Sequence, residues 1–415
     1  MSISNSNTAP LSNPNNTRKL PRVCVVGLGY IGLPTAAVLA QAGFDVHGVD
    51  VNPRAVDIIN AGKIHIVEPD LLELVSWAVK NKKLVASLKP EVCEVYIIAV
   101  PTPFYHDEKN PESHKPNIEY VLSATESIAN LIKPGDLVIL ESTSPVGTTE
   151  KMADLLQSKG VDISKIFIAH CPERVLPGKI LHELVHNDRI VGGINNLSTE
   201  KACEFYKIFV KGQVLQTNAR TAELCKLSEN AYRDVNIAFA NELSMICEDL
   251  DIDVWELRKL ANHHPRVNIL EPGCGVGGHC IAVDPWFIVD ASDKAKLIKT
   301  AREQNLAKTD WVIKKLELEI EKIKNNKNIN NISVACLGAS FKPNIDDIRE
   351  SPAKIIIDAL KNMGIKTLVV EPNLDYLEGY ELVNLDLALE QADISVKLVS
   401  HREFAGVSCT IEAVS

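Results

Sequence analysis

A chain of 415 residues with 46% hydrophobic and 24% charged side chains is long enough for two or three domains with full cores, and its composition is that of an ordinary soluble protein. No apolar run approaches the roughly 18 residues of a membrane span, which excludes a helical membrane protein, and a formal net charge of −10 argues against nucleic acid as a partner. The ten cysteines are scattered without a Cys-x-x-Cys pair, which points to reduced thiols in a cytoplasm and away from a disulfide framework or a zinc site.

Met1 to Asn16 is rich in Ser, Asn, Thr and Pro and reads as a disordered tail, with residues 1–19 outside any domain. Arg22 to Val26 is then a short apolar strand, followed at once by Gly27-Leu-Gly-Tyr30-Ile31-Gly32, a helix over Leu33 to Ala42 and a second strand over Phe44 to Val49 ending in Asp50. This is the dinucleotide fingerprint in its required context. Gly27 permits the tight turn, Gly29 admits a pyrophosphate to the helix N-terminus, and Gly32 lets helix and strand pack. Asp50 stands where a carboxylate accepts from the ribose hydroxyls and repels a 2′-phosphate, so NAD is expected over NADP. Arg54 could meet such a phosphate, or could be a solvated residue of the next helix, which Asn52 and Pro53 begin.

Buried-strand runs recur at Val95 to Val100, Leu137 to Leu140 and Ile166 to Ala169. In an open parallel sheet, ligands lie beyond the carboxyl ends of strands, which nominates Thr102, Thr143, Glu173 and Arg174 by position; each could equally be a cap or turn residue. Thr221 to Leu250 has no Gly or Pro and reads as a long helix joining domains, with Glu223, Lys226, Asn230 and Arg233 on one face. A Lys-x-x-x-Asn pair on a buried helix suits stabilisation of an oxyanion; a surface lysine is the plain alternative.

After His263-His264-Pro-Arg266 comes Glu271-Pro-Gly-Cys-Gly-Val-Gly277-Gly-His-Cys280-Ile-Ala-Val-Asp284-Pro-Trp286. Four glycines in so short a span mean backbone pressed against something or forced into positive φ. Cys280 with Asp284 shortly after it is laid out like a nucleophile beside an ionisable partner, though a lone cysteine can also be structural. A second helical stretch, Lys294 to Ile323, ends in the polar joint Asn325 to Asn331. Strands at Ile332 to Leu337, Thr367 to Val370 and Ile394 to Val399, alternating with helices, form a second, smaller doubly wound unit. Its first loop lacks the glycine fingerprint, so a second dinucleotide is not expected there, while Lys342 and Arg349 could hold phosphates. The expected fold is therefore α/β, two Rossmann-like domains joined by a long central helix, divided as 20–217, 218–324 and 325–415.

The stretches Gly62 to Asp70 (Gly-Lys-Ile-His-Ile-Val-Glu-Pro-Asp), Cys171 to Gly178 (Cys-Pro-Glu-Arg-Val-Leu-Pro-Gly) and Gly277 to Trp286 resemble the UDP-sugar 6-dehydrogenase family, and the resemblance runs from about Arg22 to Phe404. It implies an NAD-dependent four-electron oxidation of a UDP-sugar to its uronic acid. Pro-Glu-Arg and Gly-Gly-His-Cys stand where the UDP-glucose branch typically has Pro-Glu-Phe-Leu and Gly-Gly-Ser-Cys-Phe. The implied substrate is therefore UDP-N-acetyl-D-mannosamine, with UDP-N-acetylglucosamine and UDP-glucose as alternatives and a non-catalytic sensor as a further one. By the same resemblance Cys280 is the nucleophile, Lys226 and Asn230 steady the oxyanion and assist proton transfer, and Asp284 helps activate water. Thr143 and Glu173 lie near the reacting carbon and nicotinamide. Arg174, Val175, Lys226, Asn230, Arg233, His264, Arg266, Gly277 and Lys342 fall on nucleotide-sugar positions, and Arg349 on the cofactor side. A homodimer is implied, because an arginine like Arg266 often reaches into the partner. The chain departs from the family pattern after His401-Arg-Glu-Phe404, where a further strand is usual; the expectation is a loosely packed last domain with fast exchange after about Asp375. Lys397, inside an apolar strand, would be costly if buried without a partner.

Overall fold

The computed structural model describes residues 19–105, 114–176, 178–278, 280–327 and 331–414. The expected disordered tail through residue 18, His279 and residues 328–330 of the polar joint lie outside the described residues. By its internal contacts the chain falls into two units, dividing after Leu227.

The first unit runs β1 (Val23–Val26), α1 (Gly32–Gln41), β2 (Val46–Val49), α2 (Pro53–Asn60), α3 (Leu71–Lys80), β3 (Leu84–Ser87), β4 (Val95–Ile98) and α4 (Glu119–Ile128). It continues through β5 (Leu137–Leu140), α5 (Thr148–Ser158), β6 (Phe167–His170), α6 (Ile180–His186), β7 (Arg189–Gly193), α7 (Asn196–Tyr206), β8 (Val214–Asn218) and the start of α8 (Ala219–Asp249). The eight strands form one sheet in the order β3-β2-β1-β4-β5-β6-β7-β8, parallel except between β6 and β7. Strand β1 shows why both faces are covered. Val23 and Val25 enter one core while Cys24 and Val26 enter the other, and all four are buried, as the period of two requires. Helix α2 starts where Asn52 accepts from Arg54 N at 3.0 Å and Pro53 fills the first position.

The second unit holds the rest of α8, then α9 (Val254–Ala261), α10 (Asp284–Ala291), α11 (Lys296–Lys327), β9 (Ser333–Leu337), α12 (Pro352–Asn362), β10 (Lys366–Val370), α13 (Leu385–Gln391) and β11 (Ile394–Lys397). Its strands form a parallel sheet in the order β10-β9-β11, and β9 repeats the alternation: Val334 and Cys336 face one core, Ala335 and Leu337 the other. Helix α11 runs past Ile323 to Lys327, with Lys322–Glu319 and Lys324–Glu321 pairs along its exposed last turns.

The chain's end is held at several points. Lys397 closes β11 and its Nζ donates to Val407 O at 2.9 Å, so its charge has a partner. The residues after Phe404 do not leave β11 bare either. Ile411 bridges Val396 in parallel, its N–H donating to Ser395 O at 3.0 Å, and Ile411 and Ala413 are buried in the core. Val414 O accepts from the buried Lys308 ammonium at 3.3 Å.

Candidate active site

Around the first glycine loop the geometry is that of a dinucleotide cradle. Gly27 sits at φ +93°, and a Cβ on it would meet Ala99 O at 2.4 Å; one on Gly32 would meet Gly27 O at 1.8 Å. Gly29 is different, with open space within 4 Å of where its Cβ would point, at the N-terminus of α1. That combination fits a pyrophosphate approaching the backbone. Tyr30 is 43% exposed beside this space and Ile31 half-buried at the helix start. Asp50 Oδ2 accepts from Leu28 N at 2.9 Å and Oδ1 from Asn52 N at 2.9 Å, which fixes the carboxylate at the end of β2 with part of it open to solvent. Arg54 is exposed on α2. Thr102 Oγ1 donates to Thr143 O at 2.6 Å, so the loops beyond β4 and β5 are tied together by two of the nominated residues.

The loop beyond β6 is held from several directions. Glu173 is buried, its Oε2 paired with Arg189 Nη1 at 2.7 Å and its Oε1 accepting from Arg174 N at 2.7 Å. Arg174 is half-buried and donates to Asp188 O, while the Val175 side chain packs against the core. Glu68, from the Gly62–Asp70 stretch, accepts from Gly178 N and Ile180 N, each at 2.8 Å. Behind them Glu141 is fully buried between Tyr206 (2.7 Å) and Thr35 (3.3 Å). Burial, helped by the nearby Glu173, pushes its carboxyl up to about 7 against the opposing pull of Arg189. Position in the sequence gave no sign of Arg189 or Glu141; for Glu68 the marked stretch was the signal.

Helix α8 carries the central polar face. Glu223 is taken up locally, accepting from Gly147 N, Thr149 N and Thr149 Oγ1 at 2.6 to 2.8 Å and so capping α5 from outside. Lys226 is half-buried on the same helix, about one turn before Asn230.

In the second unit the residues around Cys280 converge. Its thiol is exposed in the turn before α10, and its carbonyl accepts from Asp284 N at 2.8 Å. Asp284, 4% exposed, has Oδ2 held by Asn230 Nδ2 at 2.5 Å. The turn rests on a buried ion pair that the sequence did not advertise: Arg302 Nη1 lies 2.7 Å from Asp234 and 3.4 Å from Ile281 O, with Asn305 Nδ2 also donating to Asp234. Burial raises Asp234 to about 6 against the pull of Arg302. Lys342 is half-buried; burial first, then Arg233, lowers its ammonium pKa, while Asp347 and Cys280 oppose. Arg233, Lys342 and Cys280 therefore share one electrostatic neighbourhood.

Both readings of the glycine-rich loop hold. A Cβ on Gly277 would meet Glu350 O at 2.3 Å, and Gly278, at φ +77°, donates its N–H to Arg349 O at 2.9 Å beneath the Phe341 ring. Arg349 itself is turned onto Asp347 at 2.6 Å. His264 and Arg266 are exposed at the turn after α9, where Arg266 N donates to His264 Nδ1 at 3.3 Å. Among the described residues no group of three or more His, Cys, Asp or Glu is placed to hold a metal ion, and no helix is long and apolar enough to cross a membrane.

Three family models match in succession, described as the NAD binding domain (residues 21–210), central domain (220–307) and UDP binding domain (335–413) of the UDP-glucose/GDP-mannose dehydrogenase family. The chain is 54% identical over 404 residues to the UDP-N-acetyl-D-mannosamine dehydrogenase of Campylobacter jejuni, covering 93% of this chain and 97% of that one. It is 52% identical over 397 residues to an NDP-N-acetyl-D-galactosaminuronic acid dehydrogenase of Ralstonia nicotianae, covering 92% and 91%. Among solved structures, the UDP-D-ManNAc dehydrogenase of Pyrococcus horikoshii superposes with a TM-score of 0.84 at 37% identity, covering 93% and 91%.

Proposed function

The chain belongs to the UDP-glucose/GDP-mannose dehydrogenase family, NAD-dependent oxidoreductases of sugar nucleotides, and from that premise we propose that it oxidises C6 of UDP-N-acetyl-D-mannosamine from alcohol to carboxylate. The observation that carries the reading is the seat of Cys280: an exposed thiol in a glycine-moulded turn, with a buried carboxylate, Asp284, anchored next to it by Asn230.

NAD, when bound, accepts one hydride from C6 in each of two successive oxidations. Gly27, Gly29, Tyr30, Ile31, Gly32, Asp50 and Thr102 would hold it, with Arg54 and Arg349 at the edge of that set. In the first oxidation Lys226 takes the hydroxyl proton, directly or through water, and an aldehyde remains. The Cys280 thiolate adds to that carbonyl, giving a thiohemiacetal whose loss of a hydride and a hydroxyl proton leaves a thioester. Water positioned by Asp284 and Asn230 breaks the C–S bond, releasing the carboxylic acid and the thiol. Thr143 and Glu173 position the reacting carbon. Arg174, Val175, Arg233, His264, Arg266, Gly277 and Lys342 hold the nucleotide sugar.

A homodimer accompanies this reading. Tyr232, Phe239 and Ile246 of α8, spaced by seven residues, are 73%, 52% and 44% exposed, a stripe of the kind that pairs with another helix. Light scattering on the purified chain at micromolar concentration should give twice the mass of one chain. The cytoplasm, where UDP-sugars and NAD coexist, is the proposed location.

The galacto configuration is the second reading, favoured by the 52% identity to the Ralstonia protein. NADH release with UDP-N-acetylmannosamine, UDP-N-acetylglucosamine, UDP-N-acetylgalactosamine and UDP-glucose separates the candidates. The manno sugar should have the highest kcat/KM, with two NADH per acid formed. Faster turnover of any other sugar would move the chain to another branch.

A further inference from the structure

Outside the site described above, one dense polar cluster has no part in the reaction. Glu371, at the end of β10, and His401 are buried and face each other, with His401 Nε2 3.0 Å from Glu371 Oε2. Ser340 Oγ lies 3.3 Å from the same nitrogen. A serine, a histidine and a glutamate so close together invite comparison with a hydrolytic triad, but a relay needs the two ring nitrogens to face different partners. Here Nε2 faces both the hydroxyl and the carboxylate, and the hydroxyl itself donates to Lys342 O at 2.9 Å.

The other ring nitrogen explains the arrangement. His401 Nδ1 accepts from Asn344 N at 2.9 Å and lies 3.0 Å from Asn373 Nδ2. A backbone N–H can only donate, so Nδ1 is the acceptor and Nε2 carries the proton to Glu371. Burial opposes ionisation of Glu371, yet His401 and the N–H groups of Ala339, Asn373 and Ser340 outweigh it and hold the carboxyl down to about 2. Asn344 sits at φ +62°, a left-handed conformation that strains most non-glycine residues and persists only where the surroundings over-determine it. They do so here: His401 takes its N–H, and Arg402 N donates to its Oδ1 at 3.0 Å. Lys342 is two residues upstream on the same loop, and Phe341 covers Gly278 beside Cys280.

We propose that His401 and Glu371 are positioning residues for nucleotide binding: they lock Asn344 in its left-handed turn, and the locked loop presents Lys342 to the diphosphate of the UDP-sugar. This rests on the reading of Lys342 as a nucleotide-site residue. His401 touches no substrate atom. It acts through the loop.

The two ring nitrogens can be tested apart in the full-length chain, with UDP itself as the probe in calorimetry. In His401→Asn the side-chain oxygen can stand where Nδ1 stands and keep the bond from Asn344 N, while the bond to Glu371 is lost. In His401→Gln the amide reaches Glu371 and Asn344 N is released. His401→Gln should weaken UDP about tenfold, the loss expected for one hydrogen bond and the order it imposes, and His401→Asn should stay within about threefold. NAD affinity should stay unchanged in both. Asn344→Gly, which keeps the left-handed turn without strain but drops the bond to Arg402, serves if His401→Gln does not fold, and should weaken UDP with little change in Tm. Equal UDP affinity in wild type, His401→Gln and Asn344→Gly overturns the proposal, as does a loss in the two His401 variants that merely tracks Tm. Lys342→Met is the separate control. If it binds UDP normally, the nucleotide-site reading fails and takes the proposal with it; if it binds weakly while His401→Gln does not, the proposal fails alone.

Discussion

Arg189 Nη1 and Glu173 Oε2 meet at 2.7 Å with their side chains only 2% and 7% exposed, a closed ion pair joining β7 to the loop beyond β6. Truncating one partner strands the other. Arg189→Met should cost about 3–5 kcal/mol in urea denaturation, whereas Arg189→Met with Glu173→Gln should recover much of that loss, because no buried charge is then left alone. Additive losses in the double variant would show that the two groups do not form the coupled pair described.

Glu141 makes stability depend on pH. Its folded carboxyl titrates near 7, above its ordinary 4.5, so the unfolded chain releases that proton first as pH rises. The contribution is complete below about pH 4.5 and is lost on the way to about pH 7. Glu141→Gln removes this dependence; its amide oxygen can still accept from Tyr206, and its NH2 can donate to the Thr35 hydroxyl. Relative to wild type it should gain about 2–3 kcal/mol between pH 5 and pH 8, the size set by a shift of that extent. A Tm difference that is flat across this range would place the proton elsewhere.

Asp50 carries two roles that one substitution separates from the rest of the loop. Asp50→Ala removes the acceptor of Leu28 N and the expected partner of the ribose hydroxyls. NAD should bind about tenfold more weakly, and the preference over NADP should shrink with it. Equal wild-type rates with both cofactors would overturn this assignment.

On the proposed mechanism, Cys280 is needed only after the aldehyde exists. Cys280→Ser should therefore still bind UDP-sugar and NAD and stall in the second half, after about one NADH per site in a single-turnover experiment. Normal turnover at two NADH per acid would make the thiol structural.

At the chain's end, hydrogen exchange gives a direct reading. The Ile411 amide, bonded to Ser395 O, should be protected without ligand, and Lys308→Met, which frees Val414 O, should speed its exchange about tenfold. Exchange at the unprotected rate in wild type would mean that the tail does not stay beside β11.

What could be read from the sequence was whatever local spacing dictates. β1 and β5 are buried on both faces and appear as unbroken apolar runs, and the glycine loop needs its residues adjacent. β3, β7 and β8 leave no such mark. β3 and β8 are edge strands with exposed positions, and β7 opens on an arginine whose burial only a distant glutamate makes tolerable. The site divides the same way. Cys280 and Asp284 belong to one short stretch and were legible together. Asp234 with Arg302, Glu68 with Gly178, and Glu371 with His401 meet only because the topology brings them together, and spacing carries no trace of that.

The two Rossmann units use one device twice, with opposite consequences. In each, the acid at the end of the second strand accepts an N–H from the loop after the first strand: Asp50 from Leu28, Glu371 from Ala339. Asp50 keeps part of its surface in solvent, so a ribose can still reach it. Glu371 is 4% exposed and already committed to Ala339, Ser340, Asn373 and His401. A reaction that exchanges one spent dinucleotide for a fresh one in mid-course needs a berth for its sugar nucleotide that adenosine cannot usurp. With its acid already taken up by the protein's own N–H groups and His401, the smaller unit offers a ribose no open acceptor of the kind that Asp50 presents in the larger one.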